Sequence, residues 1–110
     1  MRVLQERITM PAYFIADITI HDPDGYQSYL AGFMDIFNRH GGKLHVVSSA
    51  EVHRIEGDWA PQSIVLMAFP TLAAALAWKD DPEYVALARI RQATATTHLV
   101  LVEGLPTDPA

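Results

Sequence analysis

The amino-acid sequence predicts a single α+β domain of β-α-β-β-α-β order, and three observations carry that prediction. A period-two apolar segment runs from Ala12 to Ile20. An Asp-Pro helix start follows it at Asp22-Pro23 and recurs at Asp81-Pro82. An unbroken apolar run, Ile64-Val65-Leu66-Met67-Ala68-Phe69, stands between the two helical stretches.

In the first segment Phe14, Ala16, Ile18 and Ile20 share one face, and Tyr13, Ile15, Asp17 and Thr19 share the other. Period two with β-forming residues is the pattern of a strand, and the mixed second face implies partial cover there too. Asp22 is placed to cap a helix by accepting a hydrogen bond from a free backbone N–H. Pro23 fits the first helical position, where its missing N–H costs nothing. Tyr26, Tyr29, Leu30, Phe33, Met34 and Phe37 then recur at spacings of three and four, an apolar stripe. Gly41-Gly42 ends that helix, because glycine takes the left-handed cap conformation without steric cost.

Lys43 to Val47 and Glu51 to Glu56 read as two short strand segments, either one bent strand or a small hairpin. Gly57-Asp58-Trp59-Ala60-Pro61 reads as a loop. Gln62 to Phe69 has the composition of a central strand covered on both faces. Thr71 caps a helix over Leu72 to Lys79, which breaks and restarts at Asp80-Asp81-Pro82-Glu83. Beyond the break, Tyr84, Leu87, Ala88 and Arg91 share a face at i, i+3, i+4 and i+7. His98 to Glu103 gives a last strand, and Gly104 to Ala110 a proline-containing tail.

Two right-handed β-α-β crossovers put the first and third strands in the middle of a four-stranded antiparallel sheet with the helices on one face, the ferredoxin-like arrangement. The other sheet face is then open, yet Tyr13, Ile15 and the second face of the Ile64 to Phe69 run are too apolar to stay wet. Stacking that face on an identical sheet is the simplest remedy, so the expected assembly is a homodimer.

Composition narrows the function classes. The 110 residues are 50% hydrophobic and 19% charged, which is globular usage. A net charge of −5 argues against a nucleic-acid partner, which needs a basic face, and against an anionic membrane surface. The chain has no cysteine, so it has no disulfide, thiolate metal site or cysteine nucleophile. Met1 to Thr9 lacks a long apolar run and does not read as a signal peptide. The apolar stretch Ile64 to Trp78 is short for a membrane span and is interrupted by Pro70. A cytoplasmic location is the resulting expectation.

Several short motifs carry a family resemblance: Ala12-Tyr13, Asp22-Pro23 with Tyr26 and Tyr29, Gly41-Gly42, and Glu56-Gly57-Asp58-Trp59 with Pro61. Phe69-Pro70, Ala74 with Trp78, Pro82-Glu83-Tyr84, Ile90-Arg91 and Val102-Glu103-Gly104 continue the series. From Met10 to about Gly104 the chain resembles the family described as domain of unknown function 1330, within the dimeric α/β-barrel superfamily. The resemblance implies a sheet-to-sheet homodimer. It implies no single function, because the superfamily includes cofactor-free monooxygenases, lactone isomerases, cyclases, haem enzymes and stress-linked proteins. Members usually carry a glycine pair where this chain has Ser49-Ala50. Met10-Pro11 resembles the family's usual start, so the expected division is an N-terminal extension over 1–9, a domain over 10–104 and a tail over 105–110.

Arg91 is the leading candidate catalytic residue. On the Tyr84-Leu87-Ala88 face its guanidinium can point toward the sheet and hold a carboxylate or enolate bidentately. An ion pair with Asp17 or a glutamate, or a stem that snorkels outward, fits the same position. Asp17, mid-strand on a partly apolar face, is a candidate general base or a partner of Arg91. The five histidines include His45 and His53, which converge if their strand segments are adjacent, and His53 is the third catalytic candidate. No spacing among them matches a metal-ligand motif, so no metal and no cofactor is expected. His40 at a helix C-terminus is explained by the helix dipole. Tyr26, Trp78 and Tyr84 are candidate ligand-binding residues, although aromatics at helical spacing are also core formers. Trp59, in a loop, is a candidate lid. No serine stands in a nucleophile-elbow setting.

These residues lead to two functional expectations. One is a small cofactor-free enzyme, of isomerase, monooxygenase or proton-transfer type, acting on a small apolar or aromatic metabolite in a pocket between sheet and helices. The other is a non-catalytic ligand-binding or stress-associated dimer whose polar residues are structural pairs.

Overall fold

A computed structural model of the chain describes residues 9–106. Apart from Thr9, the expected N-terminal extension lies outside the described residues, and the expected tail is described only as far as Pro106.

The elements in chain order are strand β1 (Ala12–Ile20), helix α1 (Pro23–Arg39), strand β2 (Lys43–Val46), strand β3 (Ile64–Phe69), helix α2 (Leu72–Asp80), helix α3 (Pro82–Thr94) and strand β4 (Ala95–Glu103). The sheet order is β2-β3-β1-β4 and every pairing is antiparallel, so the first and third strands are central.

The alternation of β1 sets the two faces. Ala12, Phe14, Ala16 and Ile18 are buried beneath the helices, while Tyr13, Ile15 and Asp17 on the opposite side are partly exposed. The register puts Met67 across from Phe14 and Thr97 across from Ile18 on the helix side. It puts Leu66 and Val100 across from Ile15, and His98 across from Asp17, on the open side.

Each helix begins on the predicted cap. The Asp22 carboxylate accepts from the Gly25 N–H at 3.1 Å, the Thr71 hydroxyl oxygen from the Ala74 N–H at 3.0 Å, and the Asp81 carboxylate from the Glu83 N–H at 2.9 Å. Each bond satisfies a backbone donor that has no partner inside the helix. The break at Asp81 makes α2 and α3 separate helices.

Under the sheet the core is aromatic and centres on Trp78. Its ring lies 4.0 Å from that of Tyr84, 5.3 Å from Phe69 and 5.4 Å from Phe14, centroid to centroid. Phe33 and Phe37 from α1 pack on the same indole. Ring pairs of this kind add about 0.5–1.5 kcal/mol each beyond the area they bury.

Two sequence expectations are corrected. No strand forms over Glu51 to Glu56: the pairing of β2 with β3 shifts register between Leu44 and Val46, and the chain then turns away, the Ala50 N–H donating to the Val47 carbonyl at 3.0 Å. A strand needs a neighbour to satisfy its backbone, and this segment has none. Strand β4 begins at Ala95 rather than His98, because β1 offers pairing partners back to Ile20.

Candidate functional site

Between the sheet and the helices lies a cavity of about 90 Å³ that opens to the surface. The sheet supplies Ala16, Ile18, Val65, Met67 and Thr97. Helix α1 supplies Tyr26, Tyr29 and Phe33, α2 supplies Trp78, and α3 supplies Tyr84 and Arg91. Leu30, Leu44, Val47 and Leu99, partly exposed, stand among the lining residues at the surface end.

The aromatic residues occupy this position because the α1 stripe and the α3 face turn toward the same strands. Tyr26, Tyr29, Trp78 and Tyr84 are all buried. The hydroxyls of Tyr29 and Tyr84 are hydrogen-bonded at 2.6 Å, joining α1 to α3. The Arg91 guanidinium is half-buried and stands over the Tyr29 ring, 5.8 Å from its centroid. Cations are attracted to that position by the negative face of the ring.

Electrostatics fix the protonation of these groups. Burial, then the neighbouring Tyr84, pushes the Tyr29 hydroxyl far above the ordinary phenol range. Burial also raises Tyr26, against an opposing pull from Arg91. Burial works against the charge on Arg91, but the phenol groups of Tyr84 and Tyr29 outweigh it and its pKa is raised. Tyr26 and Tyr29 are therefore neutral hydroxyls and Arg91 a permanent cation at physiological pH.

Two polar atoms among the lining residues are buried without a hydrogen-bond partner: the indole N–H of Trp78 and the hydroxyl of Thr97. An unmade buried hydrogen bond costs about 1–3 kcal/mol, and an indole N–H can only donate. Among the described residues lining the cavity there is no carboxylate and no imidazole. The arrangement can hold an acceptor or negatively charged oxygen, and it has no group that accepts a proton near neutrality.

The sequence candidates divide between three places. Arg91, Tyr26, Trp78 and Tyr84 line the cavity. Asp17 lies on the opposite sheet face, where its carboxylate accepts from the Trp59 indole N–H at 3.2 Å in a shallow hollow with Ile15, Ile64, His98 and Val100. Trp59 therefore covers Asp17 and not the cavity, and the alternative pairing of Asp17 with Arg91 is corrected, because alternate residues of β1 face opposite sides. His53 is exposed in the irregular segment after β2, so the strand segment expected to bring it beside His45 does not form, and His45 packs edge-on to Tyr13. Among the described residues no three His, Asp or Glu side chains form a metal-binding group.

Sequence reasoning missed Tyr29, Thr97 and Ser48 as lining residues. Tyr29 carried a signal, since it lies on the α1 stripe three residues from Tyr26. Thr97 carried none once the last strand was started at His98. His40, placed by the helix dipole, is also joined to Asp81, Nε2 to Oδ2 at 2.8 Å, clamping the end of α1 to the start of α3.

Comparison with known proteins follows the fold. A protein of unknown function from Rhodopseudomonas palustris superposes with a TM-score of 0.72 at 19% identity, over 94% of this chain and 90% of that one. A cofactor-independent oxygenase from Streptomyces nogalater, SnoaB, superposes with a TM-score of 0.58 at 15% identity, over 93% of this chain and 99% of that one. At these identities the likeness is one of fold. No curated protein matches the chain. Among the described residues no helix is long and apolar enough to cross a membrane. The family described as Domain of unknown function (DUF1330) matches residues 11–105, the whole of the sheet and its helices, and the chain belongs to it.

Proposed function

We propose that the chain is a small homodimeric enzyme that binds a compact apolar or aromatic metabolite between sheet and helices and acts on it without an added cofactor. One observation carries the reading: an apolar, aromatic-walled cavity between sheet and helices is lined by the half-buried Arg91 cation together with Trp78 and the three tyrosines Tyr26, Tyr29 and Tyr84. Sites of this composition, apolar with a few convergent polar groups, are those that receive small molecules. Arg91 is the catalytic residue of the proposal, stabilising negative charge that develops on the ligand, and Tyr26, Trp78 and Tyr84 bind its body. The fold likeness to the Streptomyces oxygenase supports cofactor-independent chemistry of the oxygenation kind. The apolar open face around Ile15 and Val100 supports the dimer.

A second reading, a ligand-binding dimer without catalysis, is favoured by a specific observation. Asp17 and His53, the two candidates able to move protons, both lie outside the cavity.

Native mass spectrometry before and after denaturation separates the outcomes. A dimer carrying extra mass that is lost on denaturation is expected, and the released compound, returned to the protein, is converted to product. Arg91→Lys then loses turnover with little change in melting temperature. A compound returned unchanged overturns the enzyme in favour of the binding protein, and a chain that takes up no ligand from a metabolite screen sinks both.

A further inference from the structure

We infer that the cavity takes its ligand as an oxyanion, and that holding the ligand makes it a stronger acid. The inference rests on the small-molecule reading above and names the chemical class: a compact apolar or aromatic body bearing one acidic oxygen, as in a phenol, an enol or a carboxylic acid.

Few titratable groups line the cavity. Helix α1 contributes Tyr26 and Tyr29, α3 contributes Tyr84 and Arg91, and the described strands and α2 contribute no titratable group. The field inside is therefore that of one positive charge and several O–H and N–H dipoles, with no negative charge. Two further lining residues, Trp78 and Thr97, each carry a buried polar atom that has no partner in the protein. Among the described residues no carboxylate pairs with Arg91, whose guanidinium instead stands over the Tyr29 ring.

A neutral hydroxyl in such a site gains ordinary hydrogen bonds as an acceptor. Its anion gains more from every donor, because bonds to a charged oxygen are roughly twice as strong, and it gains the attraction of Arg91 as well. The apolar walls strengthen both terms by excluding water. The anion therefore binds more tightly than its conjugate acid, and the ligand's pKa falls on binding by the logarithm of that ratio. The proton leaves to solvent and no other bond changes. This accounts for a cavity with donors and no base: ionisation is driven by the bound state of the anion and does not need a side chain to take the proton.

The test uses 4-nitrophenol, whose phenolate absorbs visible light. Its absorbance is titrated against pH with and without an excess of the full chain. A fall in its apparent pKa by about one unit or more is expected, equal to a tenfold or greater preference for the phenolate. Arg91→Gln should remove most of that preference. Thr97→Val, which keeps the shape of the side chain and loses only the hydroxyl, should reduce it severalfold in a protein that folds normally. Benzoate that competes with the phenolate extends the class to carboxylates, and benzoate that does not compete confines it to phenols and enols. Binding with an unchanged pKa, or tighter binding of the neutral 4-nitroanisole, overturns the oxyanion inference and leaves the pocket reading standing. Absence of binding by all three probes overturns the pocket reading and the inference with it.

Discussion

The hydroxyls of Tyr29 and Tyr84 meet at 2.6 Å across the junction of α1 and α3, and the Arg91 guanidinium stands over the Tyr29 ring. Each phenol is buried and is the other's hydrogen-bond partner. Tyr29→Phe alone strands the Tyr84 hydroxyl and should cost about 1–3 kcal/mol. The Tyr29→Phe, Tyr84→Phe double change should cost less than the sum of the single changes, because no polar atom is then left unpaired. Urea unfolding of the four proteins checks this, and simple additivity would show that the pair is not coupled.

The same burial predicts alkaline sensitivity. The folded-state pKa of Tyr29 is raised above the ordinary phenol value of 10.0, so its contribution is complete below pH 10.0 and is lost as pH rises above it. Stability measured at rising pH should fall in that window, and Tyr29→Phe should flatten the fall.

Acid should act through Asp81. Its carboxyl is held below the ordinary value of 3.8 by the hydrogen bond to His40, and then by the Glu83 backbone N–H. A depressed carboxyl contributes stability that is complete above 3.8 and is lost as pH falls through the folded-state value. Asp81→Asn keeps a good helix cap and should weaken the acid dependence. An unchanged acid limb in a pH series of melting curves would remove Asp81 as its source.

Two glycines should fail for different reasons. A Cβ at Gly42 would overlap the ring of Phe37, a fully buried core residue, so Gly42→Ala should cost about 1–3 kcal/mol by overpacking. At Gly57 a Cβ meets open space, but φ is +86°, so Gly57→Ala should cost about 1–2 kcal/mol by backbone strain alone. A Phe37→Leu background, which frees space, should relieve Gly42→Ala and leave Gly57→Ala unchanged.

The open sheet face predicts an assembly. Val100 is 60% exposed in one chain and lies across from Ile15 at the centre of that face. Val100→Glu should convert the proposed dimer to a monomer by sedimentation, with the monomer keeping its helical circular dichroism. A dimer that survives the charge would place the contact elsewhere.

Much of this architecture is legible in local pattern. Alternation over Ala12–Ile20, the Asp22-Pro23 and Asp81-Pro82 caps and the α1 stripe each depend on neighbours a few residues apart, so the one-dimensional sequence contains their cause. From them follow the element order, the two central strands and the aromatic core. The segment Glu51 to Glu56 shows the limit: its strand-like residues form no strand, because strandness needs a partner that only the folded sheet can supply or withhold.

The candidate site lay on that same divide. Sequence by itself determined that Arg91 shares the Tyr84 face of α3, since helical spacing is local. Only tertiary structure decided that Asp17 and Trp59 meet on the far side of the sheet while Tyr29, Thr97 and Trp78 join Arg91 on the near side. Which face a strand turns to the helices, and which buried donors are left without a partner, are properties of residues far apart in the chain. They are set when the layers pack.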